Sequence, residues 1–156
     1  MDRPAGDKSD LLQQAAGLFA GERDPWANAA NAAALVFESL PRLNWAGFYF
    51  LRGGELVVGP FQGRTACVRI PLGSGVCGTA AKSRNTVIVA DVHAFPGHIA
   101  CDAASNSEIV VPLLSGGKLI GVLDLDSPDH GRFGPADATL LEALAVRARV
   151  TLVLHD

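Results

Sequence analysis

Apolar residues recur at helical spacing through roughly the first forty positions and then give way to short alternating runs, so helices precede the sheet along the chain. Leu11, Leu12, Ala15, Ala16 and Phe19 mark a first helix, capped by Ser9, starting at Asp10 and stopped by Gly21. Asp24 is an N-cap before Pro25 at the first helical position. Trp26, Ala29, Ala30, Ala33, Val36, Phe37 and Leu40 then form one apolar face of a second helix, which Pro41 closes.

From Asn44 the residues become aromatic and β-branched. Trp45 to Leu51 and Leu56 to Phe61 flank Arg52-Gly53-Gly54-Glu55 and predict a β-hairpin, with a third strand over Ala66 to Ile70. Leu72-Gly73-Ser74-Gly75 leads into a short helix from Val76 to Ser83, and Thr86 to Val89 predicts another strand. Asp91 to Ser107 has no periodicity and reads as a long loop, and loops of that length are usually functional or disordered. Glu108 to Leu114 and Lys118 to Asp126 form a second hairpin across Ser115-Gly116-Gly117, and Pro135 opens a last helix running to about Leu154. Hairpins with helices at both ends predict an α+β sandwich around a mainly antiparallel sheet. Residues 1–10 are expected to be a flexible N-terminus and 11–156 a single domain.

Composition narrows the function. A net charge of -3, with 13 scattered Lys and Arg, provides no basic surface for nucleic acid. No apolar run is long enough to span a membrane, and Met1 to Lys8 lacks the apolar core of a signal peptide, so a cytoplasmic protein is expected. Three cysteines in that compartment do not make a disulfide framework and must be weighed one by one.

Trp45, Gly47 and Tyr49 share one strand face, where the glycine leaves room between two aromatic walls; this is either a pocket floor or ordinary packing. On the last strand Ile120, Val122, Asp124 and Asp126 share a face opposite Leu119, Gly121, Leu123 and Leu125. Two carboxylates ending an apolar face need a cation, a donor or a shared proton, and Glu108 on the neighbouring strand can join them. That cluster suits an ammonium ligand or an acid that protonates a substrate oxygen; the alternative is a strand end entering a solvated turn. Cys67 falls in a strand, Cys101 in the long loop, and Cys77 near a helix N-terminus that favours a thiolate. Buried inert packing is the competing reading for Cys67 and Cys77. His98-x-x-Cys101 finds no second pair to complete a zinc site, so no metal is expected. Gly73-x-Gly75-x-x-Gly78 lacks the surroundings of a dinucleotide site and fits a tight strand-to-helix turn.

Taken together, Asn44-Trp45-Ala46-Gly47-Phe48-Tyr49, Gly59-Pro60-Phe61-Gln62-Gly63, Ala66-Cys67-Val68-Arg69-Ile70 and Gly73-x-Gly75-Val76-Cys77-Gly78 resemble the free methionine (R)-sulfoxide reductases, built on a GAF domain. The resemblance continues through Val89-Ala90-Asp91-Val92-His93, Phe95-Pro96-Gly97-His98-Ile99-Ala100-Cys101-Asp102, Ser105-x-Ser107-Glu108-Ile109-Val110-Val111-Pro112 and Gly121-Val122-Leu123-Asp124-Leu125-Asp126-Ser127-Pro128. It implies a GAF-like six-stranded antiparallel sheet with helices packed on it, and a closed pocket capped by the loop around Cys101. It further implies Cys101 as nucleophile, Cys67 as resolving thiol and Cys77 as a third active-site thiol. Trp45 and Tyr49 would hold the methyl-sulfinyl end of the substrate, and Glu108, Asp124 and Asp126 its oxygen or ammonium. A thioredoxin-like reductant would recycle the thiols without any cofactor, and a homodimer stays open as the assembly. The rival readings are a ligand-binding GAF sensor and a thiol redox sensor without turnover.

Overall fold

The computed structural model describes residues 8–99, 101–148 and 150. Four α-helices and six strands follow in the order α1 (Lys8–Phe19), α2 (Pro25–Ser39), β1 (Trp45–Arg52), β2 (Glu55–Gly63), β3 (Arg69–Pro71), α3 (Gly75–Ser83), β4 (Val87–Val89), β5 (Ser107–Ser115), β6 (Lys118–Ser127) and α4 (Pro135–Ala148). The strands pair antiparallel in one six-stranded sheet ordered β3-β2-β1-β6-β5-β4, the α+β architecture that the sequence predicts. Among the described residues, no helix is long and apolar enough to cross a membrane.

Each face of the sheet buries its own apolar cluster. On one face Ala46, Phe48, Phe50, Ile109, Val111, Leu123 and Leu125 meet α1, α2 and α4 through residues such as Phe19, Val36, Leu141 and Leu144. On the other, Tyr49, Leu56, Val110 and Val122 pack against Val76, Ala80 and Ala81 of α3. At about 1.5–3 kcal/mol for each large apolar side chain withdrawn from water, both clusters contribute to holding the layers together.

Several boundaries differ from the sequence reading. Helix α1 begins at Lys8, so Ser9 lies inside its first turn; residues 1–7, expected to be a flexible terminus, fall outside the described residues. In α2 the Asp24 cap is present, its carboxylate accepting from Trp26 N and Ala27 N, but the buried stripe is Ala29, Ala32, Ala33, Leu35 and Val36. Ala30 is exposed, and Trp26 instead lies edge-on to Phe50 at 5.1 Å with the Arg52 guanidinium 4.9 Å above its ring. Helix α4 ends at Ala148, and the extension expected beyond residue 150 falls outside the described residues.

Two corrections bear on the site. Strand β3 starts only at Arg69, so Cys67 sits in an irregular connection rather than a strand. The Val68 carbonyl accepts from Val58 N at 2.9 Å while the Cys67 carbonyl turns to the Tyr49 hydroxyl, which lifts Cys67 off the sheet edge. In β6 the register with β5 slips between Leu113 and Leu114, leaving Ile120 as the extra residue of a bulge. The slip reverses the side-chain alternation, so Ile120 joins the helix face with Leu123 and Leu125 and not the face of Asp124 and Asp126.

Candidate active site

Antiparallel pairing assembles the acids. Cα pairing sets Glu108 opposite Asp126 and Val110 opposite Asp124, while on the other side of β6 Trp45 pairs Asp126 and Gly47 pairs Asp124. All three carboxyls are buried. Cys77, on the first turn of α3, points its thiol at them and donates to Glu108 Oε2 at 3.8 Å.

Protons hold this cluster together. Burial, then the Asp124 and Asp126 charges, push the Glu108 carboxyl well above the usual range, and burial followed by Asp124 does the same to Asp126. Asp124 is raised by burial, but hydrogen bonds from Glu108 and Cys77 favour its anion, so the cluster's first negative charge is best stabilised there. Its Oδ1 is buried without a hydrogen-bond partner, an acceptor available to a donor from a ligand. Of the two readings of Cys77, the buried protonated thiol holds over the helix-terminus thiolate, because burial, then the Asp124 and Glu108 charges, raise its pKa well above the ordinary value. A helix terminus contributes at most about 2 kcal/mol, whereas full burial shifts a pKa by up to about 3–5 units at 1.36 kcal/mol each.

A pocket of about 540 Å³, counting its mouth, opens over the cluster. Its wall includes Trp45, Tyr49, Cys77, Cys101, Glu108, Asp124 and Asp126, so seven of the eight residues singled out in the sequence meet in one place. The eighth, Cys67, lies behind the wall and is joined to Cys101 by a disulfide with Cα atoms 5.3 Å apart. The Tyr49 hydroxyl donates to the Cys67 carbonyl at 2.9 Å, and burial followed by the Asp124 charge raises its pKa, so it stays protonated. Trp45 donates through Nε1 to the Arg64 carbonyl at 3.1 Å and lies 5.8 Å from the Tyr49 ring.

The room expected at Gly47 is already taken. A Cβ there would overlap Phe61 of β2 and crowd the Trp45 ring at 2.9 Å; Phe61 and Trp45 stack at 5.2 Å. Gly47 therefore braces the aromatic wall rather than widening the pocket. At Gly78 a Cβ would come within 2.5 Å of the Pro71 carbonyl oxygen, so this glycine seats α3 close to the turn that starts it, as the sequence predicts.

The long loop is more ordered than its sequence. Asp91 caps a single 3₁₀ turn over Val92–Ala94, Val92 N bonds the Asn106 carbonyl at 2.9 Å, and Asn106 N bonds the Ser127 carbonyl at 2.8 Å. Asn44 Nδ2 donates across to Asp102 Oδ2 and Ser105 Oγ, both at 3.0 Å. His98, weighed in the sequence only as a zinc ligand, also lines the pocket, as do Asp102 and Ser105, to which the sequence gave no role. No local pattern could reveal the Asn44 contacts, which join residues 58 and 61 positions apart. The donor atoms of Cys77, Glu108 and Asp124 lie within 4.8 Å of one another, close enough for a metal ion to bridge. That spacing has no sequence motif, since the three come from α3, β5 and β6.

The antiparallel sheet, with α1, α2 and α4 on one face and α3 beside the pocket on the other, belongs to a chain whose residues 27–152 match the GAF domain family. The free methionine-R-sulfoxide reductase of Escherichia coli (strain K12) is 51% identical over 148 residues, covering 95% of this chain and 90% of that protein. The structure of fRMsr of Staphylococcus aureus in complex with substrate superposes with a TM-score of 0.90 at 48% identity, covering 98% of this chain and 99% of the other. Free methionine-R-sulfoxide reductase from Neisseria meningitidis in complex with its substrate gives 0.89 at 46% identity, covering 96% and 90%. The chain belongs to the free methionine-R-sulfoxide reductase family, oxidoreductases on a GAF scaffold.

Proposed function

We propose that this protein reduces free L-methionine (R)-S-oxide to L-methionine with its own thiols. The observation that carries the reading is a disulfide, Cys67 to Cys101, at the wall of a pocket floored by proton-holding carboxyls. A sulfoxide sulfur is a poor electrophile until its oxygen is protonated, and the cluster supplies that proton beside the attacking sulfur.

Cys101, which faces the pocket, takes the sulfoxide oxygen to become a sulfenic acid as methionine leaves. Cys67, placed behind it, condenses with the sulfenic acid, releasing water and forming the disulfide. A thioredoxin-like dithiol then exchanges with that disulfide and restores both thiols. Cys77 is the third active-site thiol, its S–H bonded into the acid cluster. Trp45 and Tyr49 flank the methyl-sulfinyl group, and the unpartnered Asp124 oxygen receives the substrate ammonium. Burying that ammonium selects the free amino acid, since a peptide-bound residue has no such charge to pair there. The reaction as written needs no metal or organic cofactor.

Methionine release from each sulfoxide epimer, with a dithiol present, tests the reading. Release from the R epimer alone is expected. Cys101→Ser should abolish even a single turnover, whereas Cys67→Ser should release about one equivalent and then stall. A full single turnover by Cys101→Ser would move the nucleophile to Cys77. Disulfide formation by an oxidant without any methionine release would instead identify a redox sensor.

A further inference from the structure

Asn44 serves neither the apolar clusters nor the proposed chemistry, yet it ties the reactive loop to the sheet. It stands just before β1, its N–H bonded to the Asp126 carbonyl at 3.0 Å. From there its Nδ2 reaches both ends of the turn that follows Cys101, at Asp102 Oδ2 and Ser105 Oγ. Asp102 shapes that turn, its Oδ1 accepting from Ala104 N at 2.9 Å and its carbonyl from Ser105 N at 3.2 Å. Reversing the amide would set Oδ1 against the Asp102 carboxylate, so the amide orientation is forced. It leaves Asn44 Oδ1 buried without a partner, a cost that only the two donated bonds offset.

Among the described residues between Phe95 and Cys101 the backbone bonds are local, His98 N to the Phe95 carbonyl and Cys101 N to the Ile99 carbonyl, and neither reaches the sheet. We propose that Asn44 is the positioning residue that holds the Cys101 sulfur at Cys67 and beside the acids, acting through Asp102, the next residue along the chain. The strand pair it grips also carries Trp45 and Asp126, so one side chain fixes the loop relative to two walls of the pocket. The inference rests on the reductase reading only in calling Cys101 the nucleophile.

Its test uses no methionine sulfoxide, so its failure is separable from failure of that reading. The whole protein is equilibrated in glutathione buffers, where protein dithiol and glutathione disulfide exchange to protein disulfide and two glutathione thiols. Asn44→Ala should lower that equilibrium constant about tenfold, a rise of about 30 mV in reduction potential. Asn44→Asp, which sets a carboxylate against Asp102, should lower it further. Asp102→Ala and Ser105→Ala should each shift it the same way by less, and Asp102→Ala added to Asn44→Ala should change it by less than the sum of the two. A wild-type constant in Asn44→Ala, or a lower melting temperature with an unshifted potential, would overturn the proposal. Should Asn44→Ala fail to fold, Asp102→Ala and Ser105→Ala read the same clamp from the loop side, and unshifted potentials in both would overturn it as well.

Discussion

Strand β6 shows two opposite uses of burial within four residues. Leu123 and Leu125 are 1% and 0% exposed against the helices; Asp124 and Asp126 are 5% and 9% exposed against the pocket. Solvent exclusion is nearly the same on both faces, and its energetic sign is opposite. Each leucine gains about 1.5–3 kcal/mol by leaving water, while each carboxyl must keep its proton or find a partner to offset lost hydration. Burial therefore does not separate core from site here. What separates them is the unpartnered Asp124 Oδ1 and the raised carboxyl pKa values, both confined to one face.

The contrast can be broken most sharply from the acid side. Glu108→Gln keeps the shape and a donor but has no transferable proton, so turnover of the free sulfoxide should fall about 10²–10⁴-fold with the fold intact. Steady-state rates beside a thermal melt check this, and an unchanged kcat would remove Glu108 from the acid's role. Leu125→Ala tests the other face. It should cost about 2–5 kcal/mol of unfolding free energy by urea titration, while the surviving folded fraction keeps kcat within about twofold. A change in kcat without loss of stability would mean that the two faces are not independent.

How far the sequence foretold this division depends on whether an element's partner lies nearby in the chain. The two hairpins, the Asp24 cap and the acids of β6 follow local period and turn chemistry, and each appears where it was expected. Glu108 joins them because a hairpin fixes which residues face each other. Ile120 was misplaced because a bulge is invisible to strict alternation. Cys67 was misplaced because its carbonyl is drawn to Tyr49, a tertiary bond across 18 residues that outweighs local strand preference. Gly47 was read as space because the sequence cannot show Phe61 filling it. For Cys77 the sequence left a helix-terminus thiolate and a buried thiol side by side, because the carboxyls that decide between them come from β5 and β6 and no local pattern shows them. The pairing of Cys67 with Cys101 came from family resemblance, since three cysteines alone fix no partner.

The smallest expected effect sharpens the comparison by pH. Glu108 and Asp126 hold their protons in the folded state above the pH at which the unfolded chain, with ordinary carboxyls near 4, has lost them. The folded protein then binds more protons than the unfolded one, so stability falls as pH rises. This contribution is complete below the unfolded carboxyl range and disappears as pH climbs through the raised folded values, opposite in sign to that of a salt-bridged surface acid. Urea titrations of the wild type from pH 4 upward should lose on the order of 1 kcal/mol per unit while one group titrates. Glu108→Gln removes one such group and should flatten the slope; Leu125→Ala lowers the whole curve without changing its slope. An unaltered slope in Glu108→Gln would mean that the carboxyl on β5 ionises as freely in the pocket as in water, and the proton-holding floor would lose one of its members.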